Sequence, residues 1–111
     1  MLTIAWDVDD ILNDLMYCWL TDKWLAEHLD CKVSFEQITQ NPPERIINST
    51  MEEYQLSLDV FRLSKAYSEM RPNPQILEWF ERSGDKARHI ALTAVPIKAA
   101  HVSAYWVMKN F

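Results

Sequence analysis

The sequence predicts an α/β fold in which two parallel strands are joined by a long, mostly helical crossover. Three observations predict it. A short apolar run, Leu2 to Trp6, opens the chain and ends abruptly in three acids within four positions, Asp7, Asp9 and Asp10. A second apolar run, Arg88 to Thr93, lies near the other end. Between them, apolar residues recur at helical spacing and are interrupted by prolines. Strands joined by a crossover this long are expected to be parallel and right-handed.

The elements follow in order. Leu2 to Trp6 reads as a buried strand. Asn13 or Asp14 is placed to cap a helix, because its side-chain oxygen can accept from free backbone donors. That helix is predicted from about Leu15 to Leu29, with Met16, Leu20 and Trp24 at steps of four and Leu15, Trp19, Leu25 and Leu29 beside them. Ser34 to Thr39 fits one short helical turn, and Asn41-Pro42-Pro43 breaks the chain. Ser49 with Glu52, or Thr50 with Glu53, fits a capping box. The helix after it, about Met51 to Tyr67, carries Tyr54, Leu58 and Phe61 on one side and Leu56, Val60 and Leu63 on another. Asn73 then caps, and Pro74 takes the first position of a helix that runs to about Arg82 and buries Ile76, Leu77 and Phe80. Ser83-Gly84 should end it in a left-handed terminus. After the second strand, Pro96 opens a last helix with Ile97, Ala100, Ala104, Val107 or Met108, and Phe111 as its apolar stripe.

Composition bounds the function. A chain of 111 residues makes one domain, and a net charge of −5 with no basic run argues against nucleic acid or an anionic membrane as partner. No apolar stretch is long enough for a bilayer and none resembles a secretory signal. Cys18 and Cys31 are too few for a disulfide framework and read as reduced thiols of a cytoplasmic protein. The single glycine, Gly84, excludes a glycine-rich phosphate loop. His28, His89 and His101 have no metal-ligand spacing. Arg82, Lys86 and Arg88 gather at the start of the second strand and read as a solvated face.

The acids carry the chemistry. Carboxylates do not terminate an apolar strand for the sake of packing; ionised together, they need a cation, a proton or water close by. At the carboxyl end of a parallel strand they open into the crevice where α/β sheets bind ligands. Residues two apart in extended chain point the same way. Asp7 and Asp9 can therefore divide labour, one held by a divalent cation and attacking, the other exchanging a proton with the leaving group. Mg²⁺ suits such an oxygen-rich site. Thr93 should lie beside Asp7 if the strands are neighbours.

The stretch IAWDVDDIL resembles the first motif of the haloacid dehalogenase-like (HAD) superfamily of phosphatases and phosphotransferases, an apolar strand followed by Asp-x-Asp, and HIALTA resembles its second. The resemblance implies a partial Rossmann-like HAD core of two parallel strands. Residues 1–13 and 73–111 would be core elements, and residues 14–72 a helical cap inserted between them. It implies Asp7 as the nucleophile that forms an aspartyl-phosphate and Asp9 as acid/base. Mg²⁺ would sit on Asp7 and Asp9, Thr93 on the phosphate of a small phosphorylated substrate, and Asp10 beside it, although a turn role is the plainer reading of Asp10. Ile11 stands where the family has Thr or Val. The family's later lysine and acidic pair have no counterpart, since Lys98 and Lys109 read as solvated and no Asp or Glu follows Asp85. The expectation is therefore an incomplete or weakly active hydrolase. Its missing carboxyl-terminal half, or another copy of the chain, would cover the open sheet, and the apolar stripes of the first and last helices would be interface. Two other readings remain open. One is a non-catalytic binding or assembly module whose acids merely hold a cation; the other, less favoured, is a phospho-acceptor domain resembling receivers.

Overall fold

The computed structural model describes residues 1–111. Strands β1 (Leu2–Asp7) and β2 (Ala87–Leu92) form one two-stranded parallel sheet, in register from Leu2 opposite Ala87 to Asp7 opposite Leu92. Between them lie α1 (Leu15–Trp19), α2 (Leu25–Glu27), α3 (Met51–Arg62), α4 (Lys65–Ser68) and α5 (Pro74–Ser83), and α6 (Ile97–Asn110) follows β2. The architecture is the mixed α/β arrangement with parallel strands that the sequence predicts. No helix is long and apolar enough to cross a membrane.

The core is not centred on the sheet. One cluster of 14 buried residues joins Val8 and Leu12, just past β1, to Trp19, Leu20 and Trp24 and to Tyr54, Leu58 and Phe61 of α3. Leu15, Met16, Ile47, Tyr67, Met70 and Trp106 complete it. Aromatic edges fix its middle, with Trp19 edge-on to Tyr54 and its Nε1–H donating to Ser57 Oγ at 3.0 Å. The face of the first helical stretch is therefore core and not interface, as the burial of Trp19 and Trp24 requires. That stretch is also less regular than predicted. One wider turn, Leu20–Trp24, separates α1 from α2, and the helix stops at Glu27.

Several local expectations hold. Thr50 caps α3 by accepting from Glu53 N–H, Ser34 and Gln37 cap a single 3₁₀ turn reciprocally, and Asn73 accepts from Gln75 and Ile76 N–H ahead of Pro74. Others are corrected. The helix predicted to Tyr67 ends at Arg62, because Ser64 takes over as a new cap and accepts from Tyr67 N–H. Leu56, Val60 and Leu63 stay exposed. Gly84 is right-handed (φ −61°) and opens a 3₁₀ turn. Its missing Cβ matters for room instead, since a Cβ there would meet the Phe80 ring at 3.1 Å. In α6 the predicted stripe is split: Ile97 is 94% exposed and Ala100, Ala104 and Met108 also face outward, Val107 and Phe111 pack against the core, and the fully buried face is Ala99, Ser103 and Trp106. The reason is Trp106, which is fully buried and donates Nε1–H to Met70 O at 2.9 Å, fixing the rotation of the helix.

The sheet has one covered face. Trp6 and His89 point to the same side and pack against Trp79 and Phe80 of α5, with Phe111 behind Phe80. His89 is a strut there. Its Nδ1 accepts from Trp6 Nε1–H at 3.1 Å and its Nε2–H donates to Gly84 O at 2.6 Å, a pattern only the neutral ring can make.

Candidate functional site

β1 delivers Asp7 to the open carboxyl end of the sheet. The residue is exposed, and its carboxylate takes part in none of the chain's side-chain ion pairs. The register sets Asp7 opposite Leu92, so Thr93, the next residue of the neighbouring strand's path, lies at the same end. Thr93 is exposed, and its Oγ1 accepts weakly from Val95 N–H at 3.4 Å. The strand register therefore sets both residues at one end of the sheet.

Beyond Asp7 the chain tightens into one wide turn, Val8–Leu12, which breaks helical geometry at Asp9 (φ −71°, ψ 131°) and Asp10 (φ 67°). Val8 turns into the core. The left-handed Asp10 is tolerable because a short polar side chain can bond the nearby backbone. Asn13 organises the turn: its Oδ1 accepts from Asp10 and Leu15 N–H, while its Nδ2–H donates to Asp9 Oδ1 at 3.0 Å. Asn13 caps the helix with its side chain, and Asp14 makes no side-chain cap.

Asp9 is far less free than Asp7. Besides Asn13, Tyr67 O–H donates to its Oδ1 at 3.3 Å, and Arg62 Nη2–H reaches its Oδ2 at 3.4 Å. Arg62 also bridges to Asp59 Oδ1 at 3.1 Å, and Lys98 Nζ, from the first turn of α6, lies 3.9 Å from Asp59 Oδ2. The four groups form a chain of alternating charge from α6 to the turn after β1. Burial pushes the Tyr67 hydroxyl up to about 12, Ser103 opposes that rise and Asp9 adds to it, so Tyr67 remains a donor at any physiological pH. Arg62 and Tyr67 were not singled out from the sequence. The one available signal was Asp59 three residues before Arg62 on a single helix face.

Asp10 faces the other way. Its Oδ1 accepts from Met16 N–H at 2.7 Å, which makes it a second cap for α1. Desolvation of the carboxyl raises its pKa above the ordinary carboxylate value; the Met16 bond opposes this, and Asp9, Asp14 and Asp7 add to it. Asp10 also borders a cleft of about 210 Å³ that it shares with Asp14 and Arg71. Arg71 is carried there because Asn73 N–H donates to Leu12 O at 2.8 Å, locking the 71–74 segment onto the turn. Asp7 and Thr93 do not line that cleft. The sequence reading of Asp10 as a turn residue agrees with this geometry.

Of Asp7, Asp9 and Asp10, only Asp7 has a carboxylate without a partner, and no group of three or more His, Cys, Asp or Glu converges. Mg²⁺ is commonly held by one or two carboxylates with several waters, so an exposed Asp7 and the backbone carbonyl of Asp9 fit a partial shell. Cys18 and Cys31 are free thiols, and the carboxylates Asp22, Asp14 and Asp10 add to a rise in the Cys18 pKa that burial begins. No protein-family model matches the chain, and no match is found among curated proteins.

Proposed function

We propose that the chain is a phosphatase-like hydrolase of the HAD type, acting on a small phosphorylated substrate through Asp7. One observation carries this reading: of Asp7, Asp9 and Asp10 only Asp7 has a carboxylate without a partner, and it stands at the carboxyl end of a parallel strand, at the same end of the sheet as the exposed Thr93 just past the neighbouring strand. In the proposed reaction Asp7 Oδ attacks phosphorus, and the bond from phosphorus to the ester oxygen breaks. The leaving oxygen takes a proton from Asp9. Water then attacks the aspartyl-phosphate, returning its proton to Asp9 and releasing phosphate. Thr93 O–H donates to a phosphoryl oxygen. When bound, Mg²⁺ offsets charge on the transferring group. Asp9 can serve because its contacts to Tyr67 and Arg62 lie at the long end of the hydrogen-bond range and can be exchanged for a substrate oxygen.

The test is hydrolysis of p-nitrophenyl phosphate with and without Mg²⁺ by the chain and by Asp7→Asn. The reading expects a slow Mg²⁺-dependent rate that Asp7→Asn abolishes while melting at the wild-type temperature. Equal rates in the two proteins would overturn it. A second reading, a non-catalytic binding or assembly module, is favoured by the fact that Asn13, Tyr67 and Arg62 already satisfy Asp9 within the chain. It expects no hydrolysis in either protein and no stabilising shift with Mg²⁺ and beryllofluoride.

A further inference from the structure

The sheet covers only one of its faces. On the other, β1 presents Thr3, Ala5 and Asp7, and β2 presents Arg88, Ile90 and Leu92, paired Thr3 to Arg88, Ala5 to Ile90 and Asp7 to Leu92. All six are exposed, with Ile90 at 49% and Leu92 at 55%. Parallel sheets are ordinarily covered on both sides. The charges on this face are arranged by register. Arg88 stands at one end of β2 and Asp7 at the opposite end of β1, four residues or about 13 Å away along the strands. Ala5, Ile90 and Leu92 lie between them. Neither charged side chain has an ion-pair partner within its own chain.

We infer that this face is an isologous interface on which a second copy of the chain docks, with Arg88 of each protomer against Asp7 of the other. The charge pattern chooses the symmetry axis. Two sheets packed about 10 Å apart can be related by a two-fold axis that runs along the strands or across them. An axis along the strands sets Arg88 over Thr3 and Asp7 over Leu92, and leaves all four charges unpaired. An axis across the strands lays β1 on β1 with directions reversed. Each Arg88 then lies diagonally opposite the other protomer's Asp7, a gap that the long arginine stem spans, and the apolar centre is buried between two symmetric ion pairs. The arrangement is self-complementary in charge as well as hydrophobicity, which gives it register and orientation. It also covers Asp7, so the dimer and an active nucleophile exclude each other. The inference does not rest on the proposed hydrolysis.

Sedimentation equilibrium of the full chain tests this. A face this small makes a weak dimer, so the measurement runs to about 1 mM. The expected result is a mass approaching twice the 13.1 kDa of one chain, with dissociation promoted about tenfold between roughly 0.05 and 0.5 M NaCl. Arg88→Glu should weaken association about tenfold or more, Asp7→Arg should do the same, and the double exchange should restore it. Far-UV circular dichroism checks that each variant is folded, and the salt series needs no variant. A wild-type mass of one chain throughout, a dimer indifferent to salt and to Arg88→Glu, or single variants that the double exchange fails to rescue would each overturn the inference.

Discussion

Replacing Arg62 with methionine removes the guanidinium that links α3 to the turn after β1 and keeps most of its aliphatic stem. The side chains involved are largely buried, Arg62 and Asp9 each at 14% exposed and Asp59 at 20%. A hydrogen bond to a charged group contributes about 1.5–3 kcal/mol. The 3.1 Å contact to Asp59 belongs within that range; the 3.4 Å contact to Asp9 belongs below it. Asp9 keeps Asn13 and Tyr67 as donors, which limits the penalty for leaving it, whereas Asp59 keeps only Lys98 at 3.9 Å. The net cost is about 2 kcal/mol, or roughly 8 °C in Tm for a chain of this size. Urea titration followed by tryptophan fluorescence measures it. Lys65→Met is the control, because its pair with Glu69 is 86% and 60% exposed and should contribute under about 0.5 kcal/mol. A double-mutant cycle with Asp9→Asn should return a coupling of about 1 kcal/mol. If Arg62→Met proves as harmless as Lys65→Met, or the cycle is additive, the link between α3 and the acid turn has been misjudged.

Two pH-linked outcomes follow from the buried and crowded groups. The Tyr54 and Tyr67 hydroxyls are both pushed up to about 12 from 10, chiefly by burial. The unfolded chain therefore loses these protons first, and their stabilising contribution is intact below pH 10 and lost as pH rises toward 12; chemical denaturation across that window should show a falling midpoint, and Tyr67→Phe together with Tyr54→Phe should flatten it. Asp10 has a raised pKa, so its proton is held more tightly in the folded state and its contribution disappears as pH climbs through the folded value. Asp10→Asn keeps an acceptor for Met16 N–H and suits the left-handed backbone. It should raise the melting temperature at pH 7, with the gain shrinking on acidification; a lower melting temperature at pH 7 would contradict the account.

The strands, their parallel pairing and the delivery of Asp7 and Thr93 to one end were legible because each rests on local pattern: an apolar run, a crossover length, and acids or a hydroxyl where the run stops. The caps at Thr50 and Asn73 were legible for the same reason. What escaped was set by rotation and by long-range contact. The rotation of α6 depends on where Trp106 finds Met70 O, 36 residues away, and small residues on both sides of the helix leave the moment ambiguous. The break at Ser64 is a contest between a backbone ladder and a hydroxyl, which spacing alone does not decide. The partners of Asp9 were not legible because Arg62 and Tyr67 lie 53 and 58 residues further on, in helices whose apolar faces hide the polar residues at their ends.

The core centres on the inserted helices, and that has a consequence for the order of assembly. The two strands meet across 85 positions of chain, from Leu2 to Ala87, and closing so long a loop is entropically expensive until its contents have already condensed. The tryptophan-rich cluster is thus expected to be the first cooperative unit to form, with strand zippering a late step that docks onto it. Amide exchange should reach the β1 and β2 ladder before the helices around Trp19. The end of the sheet that carries Asp7 and Thr93 is expected to be the last built and the first to come apart, so local fraying can disperse it while most of the protein stays folded.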